Sequence, residues 1–64
     1  MDARDTATAI LRASGFSNGG IASWFRGLNS FLDDQTPESL LYTDPDWVID
    51  AARDTAAEMH SRVR

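Results

Sequence analysis

Two prolines stand directly behind helix-capping residues, as Thr36-Pro37 and Asp44-Pro45. Proline has a fixed φ and no N–H, so it fits the first helical position, where that N–H would find no partner anyway. Thr and Asp side chains accept a hydrogen bond from the first turn of such a helix. The two signals lie so close together that only a short helix, carrying Leu40 and Leu41, fits between them. Behind the second, Val48, Ile49, Ala52, Ala56, Met59 and Val63 recur at helical spacing, which predicts a last helix through about Arg62.

The first half carries the same punctuation. Asp2 is placed to cap a helix over 3–14, with Ala3, Ala7, Ile10 and Leu11 at three- and four-residue steps, and Gly15 to end it. Ser17 or Asn18 can cap a second helix whose apolar stripe is Ile21, Trp24, Phe25 and Leu28, with Gly27 and Asn29 loosening its end. Phe31 and Leu32 fall in a poorly patterned stretch and read as plugs pinning the connection to the core. Asp33-Asp34-Gln35 reads as a polar turn. Nothing alternates as a strand would. The expected fold is all-α: a compact bundle of about four helices, helix-turn-helix-like over 1–30, with the short and the long last helix over 31–64. The expected core is Ile10, Leu11, Ile21, Trp24, Phe25, Leu28, Leu40, Leu41, Val48 and Ala52.

With 64 residues one domain is the ceiling, and so small a core leaves little net stability, so self-association or a stabilising partner is expected. A composition of 42% hydrophobic and 25% charged residues is that of a folded chain rather than a disordered one. The net charge is −4, and it is unevenly placed: net +1 over 1–30, −6 over 31–52 and +1 over 53–64. Every basic residue is arginine. Such a chain is a poor coat for nucleic acid, whose binding rests on neutralised phosphates. The absence of cysteine excludes disulfides and thiolate metal sites, and a single histidine, His60, excludes a two-histidine mechanism within one chain. No apolar run approaches a membrane span, and residues 1–4 lack the pattern of a secretory leader, so a cytoplasmic location is expected.

Gly15, Ser17, Ile21, Trp24 and Gly27 match the frame of a helix-turn-helix: glycine in the turn, serine capping the second helix, Ile and Trp burying it. Base reading asks for long donors and acceptors, and that helix offers only Asn18 and Arg26, with Ser23 beside them. Gly19-Gly20 lacks the lysine and the preceding strand of a phosphate loop. On the last helix Asp46, Asp50, Asp54 and Glu58 recur at four-residue steps before Arg62, as a solvated face or as an acidic stripe toward a basic partner. Trp47 lies off the core stripe, either folded back on Leu41 or Tyr42 or exposed as an interface anchor. His60 has no oriented nucleophile beside it, and Asp33-Asp34 reads as a solvated turn, so no catalytic, metal or cofactor site is expected.

The order of residues adds more. Gly15-Phe16-Ser17, Ile21-Ala22, Trp24-Phe25-Arg26, Leu28-Asn29, Leu32, Thr36-Pro37, Leu40-Leu41 and Val48 to Ala51-Ala52 together resemble the Xre/MbcA/ParS family of type II antitoxins. That family's pattern is a Trp-aliphatic pair, a stretch ending in Asn, a leucine, Thr/Ser-Pro before a Leu-Leu helix, then Val/Ile and small alanines. The match covers residues 15 to about 53. Where many members carry Gly or Gly-Gly before the Thr/Ser-Pro, this chain has Asp33-Asp34-Gln35. The resemblance implies a small helical protein that binds and silences a RES-domain toxin, an enzyme that consumes NAD, through its C-terminal region. Fuller members carry a further DNA-binding unit ahead of this region.

The expected function is therefore that of a non-enzymatic, antitoxin-like protein. Partner contacts are expected on the last helix, at Trp47, Asp50, Asp54, Glu58, Met59, His60, Arg62 and Arg64. The alternatives are a small DNA-binding regulator using Asn18, Ser23 and Arg26, or a mobile-element protein that binds another host protein.

Overall fold

A computed structural model describes residues 2–62, with side chains through Met59. It contains three α-helices, α1 (Ala3–Ala13), α2 (Asn18–Arg26) and α3 (Pro45–Arg62). Two 3₁₀ turns, Ser30–Leu32 and Pro37–Leu40, lie between α2 and α3. Among the described residues there is no strand beyond one isolated antiparallel bridge, Asn29 to Gln35. The all-α class holds. The count of about four helices does not: the segment after Thr36-Pro37 closes as a four-residue 3₁₀ turn, too short to be a fourth α-helix.

The caps fall where the side chains demand them. Asp2 Oδ1 accepts from the Asp5 N–H at 2.9 Å, and Ser17 Oγ from the Gly20 N–H at 3.1 Å, which decides between Ser17 and Asn18. Thr36 Oγ1 accepts from the Ser39 N–H at 3.3 Å, while Ser39 Oγ donates back to the Thr36 carbonyl at 2.7 Å. Helix α1 ends in a Schellman motif. Gly15 N–H reaches Arg12 O at 3.0 Å, Phe16 N–H reaches Leu11 O at 3.1 Å, and Gly15 takes φ +100°, which a side chain would oppose.

One apolar cluster draws on every element. Ala7 and Leu11 come from α1, Ile21 and Phe25 from α2, Leu32 and Leu40 from the two turns, Leu41 from the link to α3, and Val48, Ala51 and Ala52 from α3. Helix α1 packs chiefly on α3. Their fully buried residues are Ala7 and Leu11 on α1 and Val48, Ala51 and Ala52 on α3, so small alanines make up much of the buried surface of both helices. Ala3, Ile10, Phe16, Trp24 and Trp47 pack on the cluster's margin, so Ile10 and Trp24 are partly rather than fully buried. Trp24 ties α2 to α3 through an Nε1–H bond to Thr55 Oγ1 at 3.0 Å. Its ring meets Phe25 edge-on at 5.1 Å between centroids, and the Arg4 guanidinium lies 5.0 Å from the Phe25 ring centre.

Leu28 is a correction to the expected core: it is 77% exposed. The apolar stripe needed another helical turn to carry Leu28 inward, but α2 stops at Arg26 and Gly27 turns extended, with ψ 155°. The core position goes instead to Leu32, which is completely buried. The loop around it is closed by its own backbone. Asn29 N–H donates to Gln35 O at 3.1 Å, Leu32 and Asp34 N–H both donate to Asn29 O, and Gln35 N–H returns to Leu32 O at 3.2 Å. Asn29 Oδ1 also accepts from Phe31 N–H at 3.0 Å. Of the two expected plugs Leu32 is one, and Phe31, 41% exposed, is not.

On α3 the innermost residues are Val48, Ala51 and Ala52. Ile49, Ala56 and Met59 are only partly buried, which puts the inward stripe nearer Ala51 than the periodic reading did. Val63 lies outside the described residues.

Candidate functional site

The expected contact surface is α3, an 18-residue helix from Pro45 to Arg62. Burying one face at Val48, Ala51 and Ala52 turns the opposite residues outward by the 3.6-residue period. Asp46, Asp50, Asp54 and Glu58 are all exposed. Successive members of that row are offset by about 40° around the helix axis, so the four carboxylates form a slowly winding stripe. Asp46 sits in the first turn, where the positive end of the helix dipole favours it. Asp50 Oδ1 lies 3.8 Å from Arg53 Nη1, with both side chains well exposed, an arrangement of little energetic weight. Met59 is partly buried at the far end. The side chains of His60 and Arg62, and all of Arg64, lie outside the described residues.

Trp47 is partly buried and packed on the core margin, whereas Tyr42, a partner it could have folded back on, is 95% exposed. The indole therefore has one supported face and some remaining exposure.

The residues weighed for DNA contact are spread along α2. Asn18 is engaged within the chain: its Oδ1 accepts from Arg12 Nη2–H at 2.7 Å. Ser23 and Arg26 are exposed. Gly20 is spatially constrained, because a Cβ there would stand 3.3 Å from the capping Ser17 Oγ and 3.4 Å from the Phe16 ring, while Gly19 faces open space. The helix start is thus shaped by its cap rather than by a ligand-facing loop.

A cavity of about 90 Å³ is lined by Asp2, Ala3, Arg4, Leu41 and Tyr42. Small-molecule sites run from roughly 300 to 1,000 Å³, so this one is undersized for a metabolite. Among the described residues no group of three His, Cys, Asp or Glu is arranged to hold a metal ion, and no helix is long and apolar enough to cross a membrane.

Asp33 and Asp34 both adopt left-handed backbone, at φ 57° and 62°. Two adjacent non-glycine residues in that region are uncommon, and Asp is among the few that tolerate it. Neither this geometry nor the Trp24–Thr55 bond was foreseen from sequence. Thr55 belongs to no apolar pattern, and hydroxyl acceptors carry no periodic signal.

No protein-family model, curated protein or solved structure matches the chain.

Proposed function

We propose that this chain is a non-enzymatic, antitoxin-like protein that binds and neutralises a RES-type, NAD-consuming toxin, with α3 as the docking element. The observation that carries the proposal is the turn at Asp33-Asp34. They belong to Asp33-Asp34-Gln35, which stands where many members of the Xre/MbcA/ParS family have Gly or Gly-Gly before the Thr/Ser-Pro, and both take a positive φ, which glycine adopts without cost. The segment thus departs in residue type while holding a backbone that glycine is free to adopt. The other residues of the resemblance are mostly those the fold depends on. Asn29 closes the loop, Thr36 caps the second turn, and Leu32, Pro37, Leu40, Leu41, Val48, Ala51 and Ala52 are buried.

In this reading Trp47 anchors the contact and Asp50, Asp54 and Glu58 face basic residues of the toxin. Met59, His60, Arg62 and Arg64 reach the mouth of its active site. Charged stripes of this kind steer association and set register more than they add affinity. The test is co-expression with a RES-domain toxin, scored by growth and cellular NAD. The full chain restores both, and a chain lacking residues 59–64 restores neither. Full protection by the shortened chain overturns the placement of the contact. No protection by the full chain, with no complex on co-purification, overturns the function.

A further inference from the structure

Among the described residues three large hydrophobic side chains are exposed, Leu28, Phe31 and Tyr42, and the first two share one loop. Leu28 is 77% and Phe31 41% exposed. They are three residues apart, so their Cα atoms are separated by no more than about 11 Å. The backbone presenting them is held at several points: the Asn29–Gln35 bridge closes the loop, Asn29 Oδ1 fixes the Phe31 N–H, and Leu32 is sunk completely into the core. Apolar anchors on a pre-ordered loop lose little conformational entropy when covered, which is the economy that strong interface contacts use.

The neighbouring charge along the chain is mainly negative, the exposed Arg26 two residues before Leu28 being the exception. Asp33, Asp34 and Glu38 follow the two apolar residues and are exposed. From Gly27 to Ala52 the chain has six carboxylates and no cation, the nearest arginine before it being Arg26 at the end of α2. An isologous contact with a second copy would set these carboxylates against one another, since a two-fold axis pairs a patch with itself. An anionic membrane surface is disfavoured for the same reason.

We infer that the 28–34 loop is a docking site for a protein segment that offers an apolar side chain flanked by Arg or Lys. Leu28 and Phe31 take the apolar group, and Asp33 and Asp34 meet the cations. The inference does not depend on the antitoxin reading.

The test titrates the full chain, isotopically labelled for NMR, with three short synthetic peptides: one alternating Leu and Arg, one alternating Leu and Glu, and one alternating Ser and Arg. The Leu/Arg peptide shifts the amides of 28–34 saturably, and the other two do not. Leu28→Ser with Phe31→Ser weakens that binding about tenfold. Asp33→Asn with Asp34→Asn, which keeps side chains that tolerate left-handed backbone, weakens it about threefold and flattens its salt dependence. Circular dichroism of each variant confirms that it is folded, and the Asp→Asn pair remains informative if the serine pair is not. Equal binding of the Ser/Arg peptide overturns the inference. So do shifts centred on α3, or unchanged affinity in a folded variant.

Discussion

Leu28 and Leu32 offer a paired test of where the core ends. Leu32 is fully buried, so Leu32→Ala removes its transfer free energy and leaves a cavity, a loss of about 2–5 kcal/mol. Leu28 keeps 77% of its surface in water. Full burial of a leucine contributes roughly 1.5–3 kcal/mol, and about a quarter of that is at stake, so Leu28→Ala costs about 0.4–0.75 kcal/mol or less. A domain of 64 residues has a total stability of roughly 3–10 kcal/mol, at about 0.05–0.15 kcal/mol per residue. Leu32→Ala therefore consumes a large part of the whole, with a melting temperature lowered by about 10 °C or more. The assay is urea unfolding followed by tryptophan fluorescence and by circular dichroism, since Trp24 and Trp47 report from α2 and α3. Two-state behaviour requires both probes to give one midpoint. A Leu28→Ala cost of about 2 kcal/mol or more, rivalling Leu32→Ala, would refute the reasoning. It would mean that α2 runs on past Gly27 and carries Leu28 inward, as the apolar spacing alone suggests.

Other positions make smaller claims. Gly19→Ala meets nothing within 4 Å and raises stability by up to about 1 kcal/mol, whereas Gly20→Ala crowds Ser17 Oγ and gains less or loses; thermal melts of the two separate them. Gly15→Ala costs about 1–2 kcal/mol by the same measurement, because φ +100° opposes a side chain. A double-mutant cycle of Trp24→Phe and Thr55→Val gives a coupling of about 1 kcal/mol, and a coupling near zero would sink the 3.0 Å bond as a tie between α2 and α3.

Which features could be read in advance follows from where their physical cause lies. A cap is a local device: the acceptor and the N–H it serves are three residues apart, so Asp2 and Thr36 were legible from the letters alone, and Ser17 as one of two candidates with Asn18. Gly15 was legible for the same reason, as the residue that a Schellman end requires. Leu28 shows the limit of periodicity. The i, i+3, i+4, i+7 pattern is necessary for a helical stripe, but it cannot say whether the helix lasts long enough to use its final member. Gly27 decided that, and the signal at Gly27 was visible but weaker than the stripe. The closed loop from Asn29 to Gln35 lies further out of reach, because its closure mixes three-residue bonds with the longer Asn29–Gln35 and Asp34–Asn29 ones, and its left-handed pair is built from aspartate rather than glycine. For the candidate surfaces the order reverses. The acidic stripe on α3 follows from sequence spacing once one face of that helix is known to be buried. Leu28 is exposed because α2 stops short, so the same termination that removes a leucine from the core presents it to solvent on the loop that carries Asp33 and Asp34.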